Sequence, residues 1–130
     1  HPPCRRQRQM CIRDRLKTMA IEVAKTFTRP NNSKGWFSDT QQGKAAAEAV
    51  ATHMANTYLD NGQMKRKVEY LSENQIRVTQ RWVNQTVKDA YDNDAALADI
   101  KAKRIAHCEA NLITIAIGSA TEVNSVSFGI

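Results

Sequence analysis

Nothing in this 130-residue chain supplies a ready-made reaction centre. Its three cysteines, at positions 4, 11 and 108, give neither a disulfide framework nor the ligand spacing of a metal site. Cys108 stands by itself on a helical pattern, where a buried small hydrophobe is the plain reading. The five glycines are scattered rather than grouped, which excludes a phosphate-cradling loop. There is no nucleophile motif. No apolar run approaches the length of a membrane span, and no signal-peptide pattern precedes Met19, so a secreted or membrane-bound protein is not expected. Aromatic residues make up only 6% of the chain, and its strands lack the paired aromatic and glycine-rich pattern of RNA-reading sheets. Nucleic acid is therefore not an expected partner, and no cofactor or metal is assigned.

Charge is unevenly spread. The chain carries 19 Lys and Arg against 13 Asp and Glu, a net +6. Five arginines (5, 6, 8, 13 and 15) and one acid, Asp14, lie in the first fifteen residues, so that stretch supplies +4 and leaves +2 elsewhere. A basic arm for nucleic acid is one reading of such a run. Residues 5–15, RRQRQMCIRDR, instead resemble the in-frame translation of a transposase-type sequencing adapter. On that resemblance residues 1–18 are a non-native or disordered extension, and Met19 is the native start. Residues 19–130 then form one domain of modest core, with an apolar tail at 119–130.

From Met19 the pattern is regular. Ile21, Val23 and Phe27 alternate with Glu22, Ala24 and Thr26, a half-buried strand interrupted by Lys25 on its apolar side. Pro30, Asn31, Asn32 and Gly35 make a turn, and the adjacent Trp36 and Phe37 are expected to cap the open end of the core. Ser38 or Asp39 is placed to cap an alanine-rich helix that runs to about Tyr58. Its apolar stripe of Ala46, Val50 and Met54 carries one polar ring, His53. A strand over 64–71 sets Arg66, Val68 and Tyr70 on one side and Lys65, Lys67 and Glu69 on the other. Its basic cluster is read as a solvated edge. After a turn at 72–74, Ile76, Val78 and Trp82 alternate with Arg77, Thr79 and Arg81.

Asn84 is placed to cap a helix through Val87 and Tyr91. Asp94 caps its continuation, whose buried stripe is read as Leu97, Ile100, Ile105, Cys108 and Leu112. Asp99, Lys101, Lys103 and Arg104 are assigned to solvent, and His107 to the helix end, where positive charge suits the dipole. Ile113, Ile115 and Ile117 make a last strand, and Val126, Phe128 and Ile130 alternate in the tail.

Strand, helix, strand, strand, helix, strand is the order of an α+β ferredoxin-like βαββαβ sandwich. That fold has a four-stranded antiparallel sheet with two helices on one face. The uncovered face needs a partner, so a homo-oligomer is expected. Ile76, Val78, Val126, Phe128 and Ile130 are its candidate interface.

The segment RWVNQTVKDAYDNDAAL, a Trp-ended strand followed by a polar cap and a helix, resembles the dimeric α+β barrel proteins. That group includes the antibiotic-biosynthesis-monooxygenase-like domains. The resemblance implies chemistry ranging from cofactorless oxygenation through haem degradation to no catalysis. The haem-degrading pattern asks for an Asn on the first strand, and MAIEVAKTF has none; His107 also lies far along its helix from Trp82. The opening MAIEVAKTFTRPN, with the Trp-ended hairpin, is similar to small virion-associated proteins of environmental tailed phages. That second resemblance implies a cytoplasmic or virion location, with other virion proteins as partners.

Two functions of different kind follow. The first is a non-catalytic structural or assembly protein, virion-associated on the phage resemblance. The alternative is a small cofactor-independent monooxygenase-like enzyme, which needs little more than a shaped apolar cavity. If such a pocket lies between sheet and helices, Trp82, Tyr58, His53 and Tyr91 are its expected lining.

Overall fold

The computed structural model describes residues 19–124. The expectations for residues 1–18, and for Val126, Phe128 and Ile130, lie outside those residues. The strictest alternation in the chain produces the centre of one antiparallel sheet. Strand β1 (Ala20–Thr28) pairs with β3 (Gln75–Trp82) on one side. Its other side carries β4 (Thr114–Ile117) and β5 (Thr121–Val123). Strand β2 (Met64–Ser72) forms the far edge on β3, giving the order β2-β3-β1-β4 of a ferredoxin-like sheet. Ile117 faces Lys25 and Thr121 faces Glu22, so β4 and β5 share one edge with an extra residue between them. That is a bulge, and the Gly118 N–H closes it on the Ala24 carbonyl at 2.8 Å. The first residues of the apolar tail are thus an edge strand of the sheet.

Helices α1 (Gln41–Met54), α2 (Gln85–Asp92) and α3 (Ala95–Ala110) begin on side-chain caps. Asn84 Oδ1 accepts from the Val87 N–H at 2.9 Å, and Asp94 Oδ1 from the Leu97 N–H at 3.2 Å, as their positions before apolar stripes require. For α1 the cap is Thr40, whose Oγ1 accepts from the Gly43 N–H at 2.9 Å. Ser38 and Asp39, expected there, lie in a single 3-10 turn (Phe37–Asp39) ahead of it. The helix runs on through a π turn (Ala55–Leu59), which sets Tyr58 on the buried stripe after Val50 and Met54. The break at Asn93 makes three helices where two were expected.

The register decides which side of each strand meets the helices. Inner-face rows read Met64, Trp82, Ile21; then Arg66, Gln80, Val23; then Val68, Val78, Lys25, Ile117; then Tyr70, Ile76, Phe27, Ile115. Two apolar clusters form on this face. One joins Val23, Val50, Met54, Tyr58, Met64, Trp82, Tyr91 and Leu97, and the other Phe27, Val78, Cys108 and Ile113. Arg66, Gln80 and Lys25 occupy the rows between and beside them. Ile76 and Val78, expected on an oligomer interface, therefore point inward. Val78 is buried within the chain and Ile76 packs on the same cluster, because the alternation that made them apolar is satisfied by the helices. The opposite face is polar, and directly opposed charges pair across it. Arg81 meets Glu22 at 2.7 Å and Arg77 meets Glu69 at 3.1 Å.

The buried stripe of α3 also differs from its expectation. Ile105 and Leu112 are exposed, whereas Arg104 is half-buried and His107 buried. The His107 ring stacks at 5.0 Å on Phe37 rather than reaching solvent at the helix end. Among the described residues no helix is long and apolar enough to cross a membrane.

Candidate functional site

The four residues expected to line a pocket do converge, but they fill space rather than enclose it. The Tyr58 and Tyr91 ring centres are 5.2 Å apart, those of Trp82 and Tyr91 5.1 Å, and those of His53 and Tyr58 6.4 Å. Trp82, Tyr91 and Tyr58 are buried to within 4% of full burial, which leaves no room for a ligand among them. Cations lie over the outer rings, Lys88 Nζ 5.3 Å from the Trp82 centroid and Lys101 Nζ 4.4 Å from that of Tyr91.

His53 faces Asp94, with Nε2 2.8 Å from Oδ2, and the Tyr58 hydroxyl donates to the same oxygen at 2.7 Å. These bonds, His53 first, hold the Asp94 carboxyl at about 2, well below its usual range. Burial and the bond to Asp94 push the Tyr58 phenol up. A carboxylate shared between two side chains and a helix cap ties α1, the π turn and α3 together. It is a joint rather than a reaction centre.

The open space lies elsewhere on the inner face. A cavity of about 250 Å³ sits between α1 and the β2–β3 half of the sheet. Its floor and walls are Phe27, Phe37, Val50, Met54, Ile76 and Val78, with Arg66 and Arg104 as its charged lining. Besides Val50 and Met54, α1 presents the small Ala47 and Ala51 here, which leave the space between helix and sheet unfilled. Tyr70 is accordingly 77% exposed at the lip. A second lobe, about 260 Å³, continues past Phe37, Ala47, Tyr70 and Ile76 to Trp36, Lys44 and Glu48.

The far wall of that trough is held by Arg29. Buried at the end of β1, it donates from Nη1 to the Lys34 carbonyl (2.7 Å), from Nη2 to the Glu73 carbonyl (2.8 Å) and from Nε to Asn74 Oδ1 (3.2 Å). Its guanidinium lies 4.8 Å from the Trp36 ring centre, and Trp36 Nε1 donates to the Glu73 carbonyl at 3.2 Å. One side chain thus fastens the loop bearing Trp36 and Phe37 to the β2–β3 turn. The two aromatics cap the core as expected, and in doing so they wall the trough.

Electrostatically the first lobe is one-sided, whereas the second carries Lys44 and Glu48. Arg66 and Arg104 have no carboxylate partner among the described residues. Arg104 Nε is buried without a hydrogen-bond partner among the described residues, and its guanidinium lies 5.9 Å from the Phe27 ring centre. Desolvation at the cavity wall, then the like charge of Arg104, lower Arg66 from its usual value, although much of its side chain meets solvent at the lip. Lys25, one row along, is brought down to about 8 by burial, then by Lys101 and Arg104. Gln80, 2% exposed, donates to the Tyr91 hydroxyl at 3.3 Å and leaves its Oε1 unpaired among the described residues. A polar, cationic layer therefore runs through the sheet–helix interface.

This layer differs from the expectation that Arg66 and Arg104 are solvated, although the chain carries two signals for it. The run Lys65-Arg66-Lys67 is split by the pleat, so only Arg66 shares a side with Val68 and Tyr70. Arg104 lies four residues after Ile100 and four before Cys108, which puts it on the buried stripe that was assigned to Ile105.

No protein-family profile matches the sequence, and no curated protein matches it. Solved structures do. A conserved Bacteroides thetaiotaomicron VPI-5482 protein of unknown function, described as a possible oxidoreductase, is similar at TM-score 0.52 and 12% identity. The match covers 82% of this chain and 99% of that one. A candidate antibiotic biosynthesis monooxygenase from Caulobacter crescentus CB15 is similar at TM-score 0.55 and 8% identity, over 90% of this chain and 99% of that one. At such identities the likeness is one of fold. The chain has the ferredoxin-like α+β fold of the antibiotic-biosynthesis-monooxygenase-like proteins, as its Trp-ended hairpin and capped helix suggested.

Proposed function

We propose that this chain is a small monooxygenase-like enzyme that oxidises an organic substrate in the cavity between α1 and the β2–β3 half of the sheet. The observation that carries this reading is the cavity itself, apolar on Phe27, Phe37, Val50 and Val78 and bordered by two guanidinium groups without acidic partners among the described residues. The descriptions of the two fold neighbours favour it over the virion or assembly role, which neither of them supports.

Cofactor-independent oxygenation requires a substrate that reduces O2 itself. An activated CH2 group loses a proton, its carbanion passes electrons to O2, one oxygen stays as a new carbonyl, and the other leaves as water. The chain's part is to exclude bulk water, hold the flat substrate on its aromatic walls and favour the anion. Arg104, whose Nε is buried, is placed to do the last, with Arg66 adding its charge from the lip, because fixed positive charge at a cavity of low polarity stabilises developing negative charge strongly.

Oxygen uptake with anthrone as the probe tests this, since its conversion to anthraquinone consumes one O2 and releases one water. The expected result is uptake well above the buffer rate that falls at least about ten-fold in Ala47→Leu, which intrudes where the two lobes meet. Uptake equal to buffer, or indifferent to Ala47→Leu, sinks the reading.

A further inference from the structure

We propose that this cavity selects an apolar carboxylic acid, its carboxylate held between Arg66 and Arg104 and its body lying on Phe27, Phe37 and Val78. The inference deepens the reading given above and rests on the same cavity.

Three observations converge on it. Arg104 Nε is buried with no acceptor among the described residues. A buried charged donor left unmade is costly, and an anion entering the cavity supplies the acceptor. Arg66, on β2, lines the same cavity close enough to feel the charge of Arg104, and it too has no carboxylate partner among the described residues. Two guanidinium groups facing one space repel each other until a negative charge lies between them. The surroundings strengthen this, because Lys25 and Lys101 add positive charge beside Arg104, while Asp92, the acid that faces both lysines, is engaged by Lys88.

The class of anion follows from shape. A guanidinium fork matches the two oxygens of a carboxylate, and the remaining walls are hydrocarbon and aromatic. Inorganic phosphate would find donors for one side only and desolvate the rest of its oxygens for nothing. An aromatic or alicyclic acid satisfies both halves of the site. The small Ala47 and Ala51 leave room for its ring, and Tyr70 stands at the entrance.

Isothermal titration of the full chain with 2-naphthoate, 2-naphthylmethanol and inorganic phosphate tests the proposal. The acid should bind at least about ten-fold more tightly than the alcohol of the same shape. Arg66→Met and Arg104→Met should each remove about ten-fold of the affinity for the acid and leave that for the alcohol unchanged. Melting curves establish that each variant is folded, and Arg66, at the exposed lip, provides the variant in which folding is least at stake. Equal affinity for acid and alcohol overturns the proposal while leaving the cavity as the reaction site. Phosphate binding as tight as naphthoate reduces the pair to a simple anion site and also overturns it. If neither aromatic binds, the cavity is not a ligand site, and the oxidation reading falls with the proposal.

Discussion

The Tyr58 hydroxyl donates to Asp94 Oδ2 at 2.7 Å, joining the end of α1 to the first turn of α3. The same carboxylate faces His53 and caps the Leu97 N–H. Asp94→Ala removes all three partners and leaves a buried phenol unsatisfied, so we expect a loss of about 2 kcal/mol in urea unfolding. The folded carboxyl titrates near 2, below its unfolded value, so its contribution is complete above about pH 4 and fades as pH falls toward 2. The gap between wild type and variant should close over that window. A gap that stays constant would show that the charge of Asp94 does not matter.

Lys25 behaves in the opposite sense. Its folded pKa, about 8, lies below that of the unfolded chain, because burial and two neighbouring cations disfavour its charge. Below pH 8 both states are protonated and the buried charge is a constant cost. Between about 8 and 10.5 the unfolded state binds the extra proton, so this group makes the fold more stable as pH rises. Lys25→Met, of similar length, should raise stability at pH 7 by about 2 kcal/mol and lose that rise. Chemical denaturation at pH 7 and pH 10 reads both effects. A variant no more stable than wild type at pH 7 contradicts the account.

Arg29→Met cuts the three hydrogen bonds that fasten the aromatic loop to the β2–β3 turn. Loss of a buried guanidinium with a hydrogen bond from each nitrogen should cost about 3 kcal/mol, and the Trp36 emission should shift to the red as its ring meets water. The second tryptophan, Trp82, sits in the other cluster and serves as the internal control. Unchanged emission would mean that the loop is held by something other than Arg29.

Leu112 closes α3 at φ 56°, a left-handed position that suits glycine. The Ile113 N–H bonds the Cys108 carbonyl at 2.8 Å and the Leu112 N–H that of Glu109 at 3.3 Å, a Schellman closure. Leu112 is 58% exposed, so little packing is lost on its removal. Leu112→Gly should therefore stabilise the fold by about 0.5–1 kcal/mol, read as a higher denaturation midpoint. A lower midpoint would show that the flexibility added to the unfolded chain outweighs the relief of strain.

The element order was legible because it rests on local signals. Alternation in β1 and β3, turn residues between strands, and Asn84 and Asp94 ahead of apolar stripes each act within a few residues of themselves. These made a ferredoxin-like sandwich readable, and the aromatic cluster of Trp82, Tyr58 and Tyr91 with it. The split of the second helix was half visible in Asp92, Asn93 and Asp94, which interrupt a pattern that otherwise continues.

What alternation does not carry is the choice of face. It divides Ile76 and Val78 from Arg77 and Thr79, but only the packed helices determine that the apolar side is covered within the chain. The same holds for the cationic cavity. Arg66 on an edge strand and Arg104 on a helix each read as solvated when taken alone, since a charged residue is most often at the surface. Sheet register and the crossing of α3 bring them to one space, and the small side chains of α1 leave that space open. The elements and their order follow from interactions a few residues long, which is why they can be read along the chain. Which sides face inward and which charges meet there depend on contacts between residues far apart in the chain, and these exist only once helices and sheet have packed.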